Sequence, residues 1–173
     1  PQAGLNGRSI YFARGKALGG SSIVNGMIYM RGVAVDYEQW RQRGLTGWGY
    51  ADVLPYFKRA EGSRDRRDGY HGADGPLKTE PSVNFGELDR AFIEAAKAAG
   101  HRELNDFNGP ERTGVARTDS TVSKGIRQSA AIAYLAHKPR NLTILPHRQI
   151  AKIVMAGPRA VGVETLDGSV IRG

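Results

Sequence analysis

The sequence predicts a mixed α/β fold of the α+β kind, on three observations. Apolar side chains recur at helical spacing over residues 35–43, 52–61 and 86–100. A two-residue alternation takes over beyond Thr113, and the two kinds of pattern intermix without a regular βαβ repeat. With 173 residues the chain is long enough for one domain with a real core, or for parts of two domains.

The elements follow in order. Gly19 to Gly26 reads as a turn into a short helix, with Ser21 or Ser22 as N-cap and Ile23, Val24 and Met27 facing inward. Val35 to Arg43 is a second helix: Tyr37 and Trp40 fall three apart, Glu38, Gln39, Arg41 and Gln42 face water, and Gly44 ends it. A third opens at Asp52 and closes at Gly62, with Pro55 tolerable in its first turn. Ser63 to Asp74 is polar and glycine-rich, so a surface loop is expected. Gly86 to Gly100 is the cleanest helix, with Leu88, Phe92, Ile93, Ala96 and Ala99 forming one apolar stripe.

Val115, Arg117, Asp119, Thr121 and Ser123 then alternate with small or apolar neighbours, and Lys124-Gly125 turns the chain. Ser129 to His137 reads as an alanine-rich helix stopped by Pro139. Three strands follow, Leu142 to Leu145, Gln149 to Met155 and Ala160 to Leu166, with a turn at Ala156-Gly157-Pro158-Arg159 joining the last two.

Composition narrows the chemistry. There is no cysteine, which excludes disulfides, thiolate metal sites and a thiol nucleophile. The net charge is +8, and residues 1–67 hold 11 Lys and Arg against 5 Asp and Glu, so the excess lies beside the glycine-rich segment. Such an excess could steer an anionic ligand or form a solvated face. In Arg64-Asp65-Arg66-Arg67-Asp68 the charges alternate without an aromatic stacking platform, unlike a single-strand nucleic-acid site. No apolar run is long enough to span a bilayer.

Among motifs, no G-x-G-x-x-G follows a strand, and Gly15-Lys16 lacks the upstream glycine and following hydroxyl of a P-loop. Ser21, Ser22 and Ser129 have no G-x-S-x-G elbow around them, and the scattered histidines and carboxylates show no metal-ligand spacing. His71, His101, His137 and His147 read as surface or capping residues.

The most informative stretch is Arg14-Gly15-Lys16-Ala17-Leu18-Gly19-Gly20-Ser21-Ser22-Ile23-Val24-Asn25-Gly26-Met27, whose glycines let backbone approach a partner closely. Together with Asp36-Tyr37-Glu38-Gln39-Trp40, Thr46-Gly47-Trp48-Gly49-Tyr50, Gly125-Ile126-Arg127-Gln128-Ser129 and Arg140-Asn141-Leu142-Thr143, it resembles the glucose-methanol-choline (GMC) family of flavin oxidoreductases. Choline dehydrogenase-like alcohol dehydrogenases look nearest, and the likeness covers almost the whole chain.

The resemblance implies an internal fragment of an FAD-dependent enzyme, holding an incomplete FAD-binding domain and the beginning of a substrate-binding domain. Residues 1–62 and 141–173 would belong to the FAD-binding part and 63–140 mainly to the substrate-binding part. It implies a small-molecule alcohol substrate whose CH–OH group passes hydride to flavin N5. Ser21 would lie near the pyrophosphate; Asn25, Gly26, Met27 and Ile28 would meet the diphosphate, ribityl chain and isoalloxazine; the Ile150 backbone would meet the adenine. Some relatives attach the flavin through a histidine at the position of Val24, which has no nucleophile, so non-covalent FAD is expected. No catalytic residue is expected within the chain, because the family's base lies beyond Gly173, and the nucleotide fingerprint precedes Pro1. No nucleic-acid partner is expected, the oligomeric state stays open, and a cytoplasmic location is favoured. The alternatives are a basic nucleic-acid-binding module and a flavin-free structural or degenerate fragment.

Overall fold

The computed structural model describes residues 3–173, and the chain divides into two compact units, one running to His137 and a second at Lys138–Gly173. In the first unit, one-turn 3-10 helices at Ala3–Leu5 and Gly20–Ile23 precede strand β1 (Ile28–Tyr29) and helices α1 (Ala34–Gln42) and α2 (Tyr50–Ala60). Strands β2 (Glu61–Ser63) and β3 (Leu77–Pro81), helix α3 (Glu87–Ala98), strands β4 (Asp119–Ser120), β5 (Val122–Ser123) and β6 (Ile126–Arg127), and helix α4 (Ala130–Leu135) follow. The main sheet runs β1-β4-β3-β2, with β2 parallel to β3 and the other pairs antiparallel. β5 and β6 form a separate hairpin, with Lys124 and Gly125 both at positive φ in its turn.

Three helices start in the same way. The backbone N–H groups of Val33, Gly49 and Gly86 each donate to an aspartate three residues on, Asp36, Asp52 and Asp89, at 2.9, 3.0 and 2.7 Å. Each bond satisfies a donor at the helix entrance, and each carboxylate sits at the positive end of the helix dipole. Asp52 therefore lies in the first turn of α2 instead of capping it, and the helix begins two residues earlier than expected. Pro55 consequently falls in the helix interior, opposite the carbonyl of Ala51, and not in the first turn. The stripe expected on α3 is also only partly inward: Ile93 is buried, whereas Leu88 and Phe92 are 87% and 69% exposed.

The centre of this unit is polar. Ile93, Val115 and Val122 are its buried apolar side chains, while Glu61 is fully buried beneath β3 and the loop after β2. Glu61 accepts hydrogen bonds from Arg31 Nη2 at 2.6 Å, from the backbone N–H of Gly72 at 2.9 Å and from Thr79 Oγ1 at 3.5 Å, and it faces His71 Nδ1 at 3.1 Å. Arg66 grips both oxygens of Asp119 at 2.7 and 2.9 Å and approaches Asp106 at 3.3 Å. A buried carboxylate is tolerable only when its lone pairs are filled in this manner.

The segment 63–74 is thus not wholly a surface excursion: Ser63, His71 and Gly72 are buried, and His71 is an interior residue in place of the expected surface or capping one. Its ring lies between Glu61 and Asp106, with Nε2 3.4 Å from Asp106 and 4.0 Å from Asp68. Burial alone would lower the His71 pKa; the hydrogen bond to Glu61 and the charges of Glu61, Asp68 and Asp106 outweigh it and hold the pKa above the ordinary 6.5.

The second unit is a three-stranded antiparallel meander of β7 (Ile150–Ala156), β8 (Arg159–Thr165) and β9 (Val170–Arg172). Gly157 and Pro158 turn β7 into β8 as the sequence suggests. Leu142 to Leu145 is not a strand, because no neighbour among the described residues pairs with it. The third strand is β9, beyond the Asp167-Gly168 turn, where Asp167 accepts from Thr165 Oγ1 at 2.5 Å and from the Ser169 N–H at 3.0 Å.

Candidate functional site

The glycine-rich segment forms one projecting turn tied down at both ends. Gly19, at φ 95°, admits the chain into the 3-10 helix Gly20–Ile23, so the N-cap is Gly19 and both serines lie inside the turn. Ser22 Oγ donates to the Gly19 carbonyl at 2.5 Å and accepts from the N–H of Ala130 at 2.9 Å, joining this turn to α4. Ser21 Oγ accepts from the Gly15 N–H at 3.2 Å. A Cβ on Gly15 would stand 2.2 Å from the Gly20 carbonyl oxygen, which explains the glycine by packing within the chain. Both serines are spent on folding the segment, a role available to any hydroxyl near a tight turn.

Asn25, Gly26, Met27 and Ile28 come next on the surface. Asn25 Oδ1 accepts from the Met27 N–H at 3.2 Å and from Arg127 Nη1 at 2.8 Å, and Arg127 Nη1 also reaches the carbonyls of Asn25 at 2.7 Å and Ser22 at 3.3 Å. Met27 is held at φ 63° while its carbonyl accepts from Thr121 N and Oγ1, and Ile28 pairs with Ser120 across β1 and β4. Ser21, Asn25, Gly26, Met27 and Ile28 are therefore contiguous. Ile150 lies in the second unit, where it pairs with Thr165 at the start of β7.

The surface of this turn suits a flat, partly polar ligand. Val24, Ile28 and Met30 are 61%, 62% and 51% exposed, apolar surface that costs free energy in water. Gly26 has no left-handed φ, and a Cβ there would meet nothing within 4 Å, so neither conformation nor packing inside the chain requires glycine. Close approach of a ligand to the backbone would require it. The residues fit the ring end of a flavin better than its pyrophosphate, because a single 3-10 turn aligns few peptide dipoles toward an anion.

Sequence reasoning missed Arg127. Its partners Ser22 and Asn25 precede it by 105 and 102 residues, and the one available signal was its place in the resemblance motif Gly125 to Ser129. The Arg31–Glu61–His71 centre was missed as well, since its members are scattered and each reads alone as a surface charge.

A sequence model of GMC oxidoreductases matches residues 3–171. The chain belongs to the GMC oxidoreductase family. Within that family, an oxygen-dependent choline dehydrogenase of Brucella ovis is 44% identical over 165 residues, covering 95% of this chain and 30% of the relative. Pyridoxine 4-oxidase from Mesorbium loti superposes with a TM-score of 0.86 at 33% identity, over 99% of this chain and 35% of that one. An FAD-dependent oxidoreductase from Chaetomium thermophilum superposes with a TM-score of 0.82 at 29% identity, over 99% of this chain and 31% of that one. The chain thus spans about a third of the length of the GMC proteins it matches. No helix among the described residues is long and apolar enough to cross a membrane.

Proposed function

We propose that this chain is the flavin-facing part of an FAD-dependent oxidoreductase that oxidises the CH–OH group of a small alcohol, choline or another primary alcohol. The observation that supports it best is the exposed turn from Val24 to Ile28 within a chain of GMC membership, apolar on its surface and with a glycine at Gly26 that the fold itself does not need. FAD, when bound, supplies the hydride acceptor. The chain's own part is to hold the ring: Val24 and Ile28 offer apolar contact, and Gly26 lets backbone come close.

Binding is non-covalent at this turn, because Val24 has no nucleophilic atom. By the family resemblance alone, Ser21, whose hydroxyl accepts from the Gly15 N–H, would lie near the pyrophosphate, and the Ile150 backbone of the second unit would meet the adenine. Residues 1–62 and 141–173 would serve the FAD-binding part and 63–140 mainly the substrate-binding part, with the base supplied from outside these 173 residues. Neither the nucleic-acid-binding alternative nor the flavin-free one gains support from the family membership.

The test is a chimera in which residues 3–171 replace the matching segment of the Brucella ovis choline dehydrogenase. The expected result is a purified protein with about one FAD per chain that choline reduces under anaerobic conditions. A folded chimera that purifies colourless and takes up no added FAD contradicts the proposal.

A further inference from the structure

We infer that Arg127 is a positioning residue that fixes the Asn25 carboxamide with its oxygen toward Arg127 and its nitrogen away from it, so that the Asn25 side chain offers a bound ligand donors and no acceptor. The inference deepens the flavin-facing reading and rests on it for the identity of the ligand, though not for the orientation.

The geometry leaves one choice of orientation. Two groups point at the same carboxamide atom of Asn25: Arg127 Nη1 at 2.8 Å and the Met27 N–H at 3.2 Å. A guanidinium and a peptide N–H can only donate, so the atom between them is the oxygen, whatever rotamer is assigned to the amide. With both of its donors there, Oδ1 is occupied. Nδ2, on an exposed residue, has no acceptor among the described residues and keeps both of its N–H groups available.

Arg127 can impose this because it is itself fixed. It pairs with buried Val122 in the β5–β6 hairpin, the Gln128 N–H donates to the Thr121 carbonyl at 2.8 Å, and its Nη1 also holds the Ser22 and Asn25 carbonyls. Thr121 in turn grips the Met27 carbonyl through both its N–H and its hydroxyl. The turn from Ser22 to Met27 is thus clamped by the hairpin on both sides of Asn25. A ligand meeting Asn25 must present an acceptor there, such as a carbonyl oxygen or an unprotonated ring nitrogen.

Three variants separate positioning from contact. Arg127→Met removes the donor, Asn25→Asp keeps an oxygen toward Arg127 but replaces the amide donors by a second oxygen, and Asn25→Ala removes both. In the 173-residue chain without cofactor, hydrogen exchange at the Met27 amide is expected to be about tenfold faster in Arg127→Met and Asn25→Ala and unchanged in Asn25→Asp. Arg127→Lys, which retains a donor, is expected to restore part of the protection. In the Brucella chimera, FAD affinity is expected to fall about tenfold or more in Asn25→Asp although its melting temperature is kept, because a buried acceptor then faces an acceptor.

Unchanged Met27 exchange in Arg127→Met, or no protection of Met27 in the unsubstituted chain, overturns the positioning role. Full FAD retention by Asn25→Asp overturns the donor-only side chain. An unsubstituted chimera that binds no FAD sinks the flavin-facing reading instead, and the exchange measurement still decides the orientation.

Discussion

Two side chains set the residue-scale expectations, Val24 and Glu61. Val24 is 61% exposed on the candidate flavin-facing turn and carries only methyl groups. Acid precipitation of the flavin-loaded chimera is expected to leave all flavin in the supernatant, read by absorbance; flavin kept in the pellet would locate a covalent link elsewhere. Glu61 has 0% exposure and shares its oxygens among Arg31, Gly72, Thr79 and His71. Glu61→Gln leaves the Arg31 guanidinium buried without a counter-charge and is expected to cost about 3–5 kcal/mol, measured by urea unfolding. Equal stability of the variant would show that Arg31 is not paired in the folded chain. Local chemistry was readable at this scale: the paired glycines announced a close turn, and Gly19 does take up a left-handed φ. The partners of Asn25 were not readable, because a hydrogen bond to a residue 102 positions away leaves no trace in local spacing.

At the scale of elements, His71 joins the loop after β2 to the loop bearing Asp106. Nδ1 is hydrogen-bonded to Glu61, whereas Nε2 is buried 3.4 Å from Asp106 without a hydrogen-bond partner among the described residues, so the charges of the surrounding carboxylates, not a second hydrogen bond, favour the imidazolium. Arg31 and Arg66 reach the same carboxylates, and Asp68 and Asp119 complete the charged groups around the cluster. The folded pKa of His71 is raised, so its stabilisation is fully present below 6.5, the unfolded value, and is lost as pH rises through the folded pKa. Thermal unfolding from pH 5 upward is expected to show a loss of stability above about pH 6.5 that His71→Gln removes. The same pH dependence in the variant would assign it to another group.

Helix existence was legible in α1, α2 and α3 because their apolar spacing is regular. Their starts were less so. An aspartate reads equally as a cap or as a first-turn acceptor, and that ambiguity misplaced Pro55. β9 was legible, because Asp167-Gly168-Ser169-Val170-Ile171-Arg172 reads as a turn entering a strand, and Val170–Arg172 is that strand.

For the molecule as a whole, membership of the GMC oxidoreductases agrees with the family resemblance, and the mixed α/β architecture agrees with the fold read from the sequence. The polar centre was not legible: the first unit is centred on Glu61, His71, Asp106 and Asp119, while large apolar side chains such as Ile10, Tyr11, Phe12 and Ile28 stay exposed. Exposed apolar faces of this kind are surfaces suited to being covered by another group.

The central claim is that the turn from Ser21 to Met30 faces the flavin, and hydrogen exchange of the chimera with and without FAD, read by peptide mass spectrometry, tests it most directly. The account predicts that FAD slows exchange in peptides covering residues 21–30 and leaves α3, Glu87–Ala98, unchanged. Protection confined to α3 or to other segments, with residues 21–30 exchanging alike in both states, would contradict it.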